Sequence, residues 1–220
     1  MTFSERAIAV SGYCSPVLPD APAPIQRALA RSYEDFFREL ERPGRAEGPG
    51  DLVGGNFSIA AAALESVGGF DETFLFARDD FELGARLLAR EFRLKFLPAA
   101  RARMHVTTTA DEIVARAEDR GRNDVRLARA YPACAAHVPF HRIFERASTR
   151  RRWMLVWPAT SLAATILSTL RRFARENIRL INWEYAVRYM VGLRREAGSW
   201  GTLRRLAGGR SRLAEPPRTA

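Results

Sequence analysis

The sequence predicts an α/β domain, a mixed sheet with flanking helices, followed by a helical tail. Two observations point there. Short apolar segments of strand length (6–13, 93–98 and 101–106) are interleaved with longer stretches whose apolar residues recur at helical spacing (25–40, 79–91 and 111–130). The charge is also divided along the chain. Residues 1–149 carry 20 basic and 21 acidic side chains, whereas residues 150–220 carry 15 arginines against 4 glutamates. The chain is therefore read as a near-neutral body, 1–149, and a basic helical tail, 150–220.

Each element has its own signal. RAIAVSGY (6–13) is apolar and reaches a glycine, as a buried strand would. Pro16, Pro19, Pro22 and Pro24 mark a loop. Ile25, Leu29, Tyr33, Phe36 and Leu40 then fall on one helical stripe, which should end before Pro43. Asn56 is an expected N-cap for a helix buried through Ile59, Ala60, Ala63, Leu64 and Val67, with Gly68 as its left-handed stop. Asp71 and Glu72 suit a turn. Another helix is expected from Asp79 to about Glu91, its buried face marked by Phe81, Ala85, Leu88 and Phe92. Phe74, Phe76 and Phe81 are expected in the core. RLKFLP and RARMHV read as two short strands, the second with Arg101, Arg103 and His105 on one face. Residues 111–130 read as a helix with Gly121 as a weak point, ended by Tyr131–Pro132. A further amphipathic helix is expected over about 176–195, and 208–220 as a frayed end.

Composition narrows function. The chain has 220 residues, 47% of them apolar, so it can bury about 70% of its unfolded surface, which excludes general disorder. Two cysteines, Cys14 and Cys134, exclude a disulfide framework and a thiolate zinc centre. They are read as buried, inert thiols. MTFSERAIAV has no apolar stretch of signal-peptide length, so a cytoplasmic location is expected. The net charge of +10 resides in the tail, which argues against a nucleic-acid-binding core, and no nucleic-acid partner is expected. His137 and His141 have metal-like spacing, but Pro139 between them argues against a shared ion.

One constellation goes further. Gly54-Gly55-Asn56, the run Val67-Gly68-Gly69-Phe70-Asp71-Glu72, the pair Asp79-Asp80 followed by Phe81-Glu82-Leu83, then Arg86-Leu87, Pro98 and His105 occur in an order and spacing that resembles the second half of a family 2 glycosyltransferase. The resemblance covers about residues 6–132 and implies part of a GT-A fold. It implies inverting transfer of a sugar from a nucleotide-sugar donor to a glycan or lipid-linked acceptor. Asp80 matches the general base and Asp79 replaces the more usual Glu beside it. Gly55 and Asn56 match the acceptor-side loop. His105 matches a position that binds the divalent metal, Mg²⁺ or Mn²⁺, or the diphosphate. The chemistry is reasonable on its own terms. A sugar hydroxyl attacks slowly while it keeps its proton, and a carboxylate in reach can accept that proton, while the leaving diphosphate gathers charge that cations or N–H groups must stabilise.

The chain departs from that family in having no Asp-x-Asp, the nearest approach being Asp80-x-Glu82, and no Gly-rich phosphate loop. Roughly 100 residues of donor-binding domain are expected to be missing. A partner chain supplying the donor half is one expected remedy, and a non-catalytic remnant that acts as an interaction protein is the alternative. Residues 153–170 carry no charge and are flanked by Arg150–Arg152 and Arg171–Arg172. A helix lying on an anionic membrane surface is the expectation there, with a buried helix or a span as alternatives.

Overall fold

In a computed structural model of the chain, residues 8–74, 77–141 and 161–207 are described. A three-stranded sheet has the order β2–β1–β3. β1 (Ile8–Val17) is central, β2 (Phe57–Ser58) runs antiparallel to it, and β3 (Arg93–His105) runs parallel. Around it are α1 (Pro24–Leu40), α2 (Ala61–Ser66), α3 (Asp79–Ala89), α4 (Ala110–Ala130), α5 (Ser161–Phe173), α6 (Ile178–Ala197) and α7 (Trp200–Ala207). The molecule is α/β, with a mixed sheet and flanking helices.

The two short strands expected over 93–106 are one. Leu97 pairs with Gly12 and Arg101 with Tyr13, so Pro98, Ala99 and Ala100 form a detour inside β3. Along β3 the odd-numbered residues are exposed and the even-numbered ones are buried or half-buried. β1 responds by changing the parity of its inward face. Ala9 and Ser11 are buried before the detour and Cys14 after it. At the switch, a Cβ on Gly12 would overlap the Ala100 carbonyl oxygen and the Asn56 amide, so only glycine admits that close approach. Gly12 thus lies inside the strand instead of ending it. Pro16, expected in the loop, also belongs to β1, opposite Met104.

α1 begins with Pro24, whose missing N–H is one the helix would leave unpaired in any case. Its buried side turns slightly from the expected stripe. Phe37 is buried, 4.7 Å from the Tyr13 ring and 5.9 Å from Phe96, whereas Tyr33 and Phe36 are exposed. α3 is buried on more than the expected face. Leu83 and Leu87 pack with Leu52, Val67 and Leu94, while Phe81 and Ala85 enter a second cluster. Phe74 joins that cluster as expected, and Phe76 lies outside the described residues.

α4 opens on a capping box in which Thr109 and Glu112 each accept the other's backbone N–H. It runs unbroken through Gly121. A Cβ there would overlap the Tyr189 carbonyl oxygen, and one on Gly192 would overlap that of Glu118. These two glycines let α4 and α6 cross backbone to backbone, so Gly121 is a contact point and not a weak one. Phe81, Val125, Leu127, Phe140, Met190, Leu193 and Leu203 share one core, so helices from the basic tail pack into the body. Of the uncharged stretch 153–170, residues 161–170 lie in α5 and the remainder lies outside the described residues, as does 208–220. Among the described residues no helix is long and apolar enough to cross a membrane.

Candidate functional site

Asp79 and Asp80 are the first two residues of α3. The residue before them, Arg78, has φ 75° and ψ 8°. That left-handed conformation costs a non-glycine residue on the order of 1 kcal/mol or more, and such strain persists only where the surroundings enforce it. Here they do. Arg78 Nε donates to Asp124 Oδ1 at 2.6 Å and Nη2 to Oδ2 at 3.3 Å. Its guanidinium also lies 5.3 Å from the centre of the Phe81 ring. The preceding residue of α4 helps as well, since the Asn123 amide donates to the Ala77 carbonyl at 2.9 Å.

Asp124 is fully buried and accepts a third bond from the Tyr189 hydroxyl at 2.6 Å. Burial and the Asp124 carboxylate push Tyr189 well above the ordinary tyrosine pKa. For Arg78 burial alone would lower the pKa, but the charge and hydrogen bonds of Asp124 outweigh it and hold the arginine above its usual value. A buried ion pair with a third donor thus fixes the backbone from which the acidic pair projects.

Asp80 is half-buried and Asp79 is exposed. Asp80 Oδ1 accepts the Phe81 N–H at 2.7 Å, and Oδ2 accepts the Gly54 N–H at 3.3 Å. A Cβ on Gly54 would lie 3.3 Å from Asp80 Cβ, so the 54–56 loop rests against this carboxylate. Gly55 follows, and a side chain there would meet Cys14 Sγ at an ordinary 3.6 Å. Asn56 is not an N-cap, because α2 starts only at Ala61. Its amide nitrogen donates to the Ala100 carbonyl at 3.0 Å and the Tyr13 carbonyl at 3.4 Å, and its own carbonyl accepts the Gly12 N–H at 2.8 Å. It therefore ties the loop to both long strands at the β3 detour.

His105 ends β3, exposed, opposite Val17. It lies five residues past Ala100, roughly 16 Å along an extended strand. The structure thus joins Asp80 to the 54–56 loop, while His105 stands further along the sheet. A hard divalent cation needs several oxygen ligands at once. Among the described residues no three His, Cys, Asp or Glu side chains stand close enough to hold one. Glu82, the second carboxylate of Asp80-x-Glu82, is turned into the protein, where it accepts from Arg86 at 2.7 Å and from the Tyr131 hydroxyl at 2.7 Å. These residues alone do not fit a metal centre.

Asp71 and Glu72, expected in a turn, stand where the chain leaves two left-handed glycines and enters a single 3-10 turn, Glu72–Phe74. Gly68 and Gly69 have φ values of 86° and 69°, and Asp71 Oδ1 accepts from the Thr73 N–H at 2.9 Å and hydroxyl at 2.7 Å. Those bonds hold the Asp71 carboxyl below its usual pKa. Residue reading missed Arg78, Asp124 and Tyr189. No local pattern marks them, because Asp124 lies 46 residues after Arg78 and reads as one more charge on a helix.

Fold and site together define an α/β protein with a carboxylate at the head of a helix, braced from behind by a buried Arg–Asp–Tyr set and met in front by a glycine loop. Comparison with family models, curated proteins and solved structures finds no match to the chain.

Proposed function

We propose that the chain is the acceptor-side part of an inverting glycosyltransferase of GT-A type, with Asp80 as general base. The observation that carries this reading is the contact of Asp80 with the 54–56 loop, on a helix start whose preceding residue is held in a strained conformation. Strain enforced by a buried network is a device of functional sites. In the proposed reaction a hydroxyl of a glycan or lipid-linked acceptor approaches Asp80 beside the 54–56 loop. Its proton passes to an Asp80 carboxylate oxygen as the acceptor oxygen bonds to the anomeric carbon. The bond from that carbon to the nucleoside diphosphate breaks on the opposite face, inverting the configuration. Proton acceptance of this kind contributes typically 10²–10⁴-fold. Asp79, one residue before the base and exposed, borders the same helix start and would contact acceptor hydroxyls.

The nucleotide-sugar site, and the carboxylates for Mg²⁺ or Mn²⁺, would come from a donor half on another segment or a partner chain. The open face of β3 favours that arrangement. Lys95, Leu97, Arg101 and Arg103 are exposed there, on a sheet face that a second layer would cover. His105, on the same face, would then stand toward the diphosphate. The setting proposed is the cytoplasm, at the inner face of the membrane where lipid-linked acceptors reside.

The test is sugar transfer from labelled nucleotide sugars to membrane glycan acceptors in membranes of cells that express the full chain, compared with cells from which it has been deleted. Transfer should depend on the chain and fall at least about 100-fold with Asp80→Asn, with the circular dichroism spectrum unchanged. Equal transfer by Asp80→Asn would remove Asp80 as the base.

A further inference from the structure

The four most exposed large apolar side chains among the described residues all lie in the α5–α6 hairpin. Phe173 is 87% exposed, Trp183 68%, Ile166 52% and Leu170 50%. Ile166, Leu170 and Phe173 are spaced four and three apart, which puts them on one stripe of α5. The opposite side of α5 is anchored. Arg171 Nε contacts Glu184 of α6 at 2.6 Å and its Nη1 contacts Asp111 of α4 at 2.6 Å. The Arg171–Glu184 bridge sets Leu170 and Trp183 at the same level of the hairpin. The turn between the helices is closed by Asn177, whose Oδ1 accepts the N–H groups of Arg179 and Leu180.

Arg172, Arg175 and Arg179 are exposed around that turn, with Glu176 as the acid between them. None of the three arginines has a salt-bridge partner among the described residues. Exposed aromatic rings beside free guanidinium groups suit the boundary between lipid phosphates and acyl chains. Over the described residues α5 spans Ser161–Phe173, about 20 Å of helix that can lie along a bilayer surface.

We infer that the α5–α6 hairpin docks on a bilayer containing anionic phospholipid, with Phe173, Trp183, Leu170 and Ile166 inserted and Arg172, Arg175 and Arg179 on the phosphates. The inference is independent of the transfer reaction, since none of these residues takes part in the Asp80 site.

Flotation of the full chain with vesicles tests it, using phosphatidylcholine alone and phosphatidylcholine with about one third phosphatidylglycerol. Binding to the anionic vesicles is expected, with little to the neutral ones. Phe173→Ser with Trp183→Ser should abolish it. Changing Arg172, Arg175 and Arg179 together to Gln should weaken it roughly 100-fold. All these side chains are exposed, and circular dichroism would verify the fold of each variant. Absence of wild-type binding, or binding that both variants retain, would overturn the inference. So would a dimer in solution that Phe173→Ser converts to monomer without any flotation, since a second copy would then be the occupant.

Discussion

Tyr189 shows how much one hydroxyl can support. It donates to the fully buried Asp124, which in turn holds Arg78 in place. Its pKa is raised well above the ordinary value of 10.0 by burial and by the carboxylate. Tyr131, which donates to buried Glu82, is shifted in the same direction by burial and by that hydrogen bond. A group whose folded pKa is raised stabilises the fold fully below its unfolded pKa and loses that contribution as pH rises toward the folded value. Stability should therefore be steady near neutrality and fall above about pH 10. Tyr189→Phe should cost about 1–3 kcal/mol at pH 7, because Asp124 loses a donor. The variant should also show a shallower alkaline decline, with Tyr131 sustaining what is left. Urea unfolding at pH 7 to 11 measures both. At this scale the place of Asp80 at a helix start was legible in the sequence, since its neighbours in the chain mark that start. The Arg78–Asp124–Tyr189 set was not, because its members meet only after three helices have packed.

At the scale of elements, the crossing of α4 and α6 depends on Gly121 and Gly192. A methyl group at Gly192 would strike the Glu118 carbonyl, and backbone cannot yield as a side chain does. Gly192→Ala should destabilise by roughly 1–3 kcal/mol. Gly201 in α7 is the contrast. A Cβ there lies 3.7 Å from Ser199 Oγ, an ordinary contact. Gly201→Ala should therefore stabilise, by up to about 1 kcal/mol, through helix propensity. Thermal melts of the two variants would separate the signs. The long helices were legible because their period survives over many turns. The sheet was harder. β1 buries odd-numbered residues before Gly12 and an even-numbered one after it, so no single alternation describes it. Pro98 divides β3 in sequence but not in space, because the detour absorbs it.

For the whole molecule, charge and packing follow different lines. The chain becomes strongly basic at residue 150, yet Tyr189, Met190, Leu193 and Leu203 complete the core formed by α3 and α4. Composition reports the surface: Arg179, Arg194 and Arg195 of α6 are exposed, while Ile181, Tyr189, Met190 and Leu193 are buried. A fragment ending at residue 149 would expose Ala117, Val125 and Leu127 and leave Asp124 without Tyr189. It should lack a cooperative thermal transition and bind a hydrophobic dye, whereas the full chain should melt sharply. A sharp melt of the fragment would show that the body folds unaided.

The parallel pairing of β1 with β3 has a consequence in time. Ile8 meets Arg93, so β1, once synthesised, must wait for roughly 85 further residues, about 4–17 s at ~5–20 residues per second. Throughout that delay a segment rich in Ile, Val and Tyr has no neighbour along its eventual partner side. Such late closure of a nascent edge makes synthesis, more than the finished fold, the stage at which this protein is most exposed to aggregation, and slower growth temperature or a holding chaperone should raise the yield of folded chain.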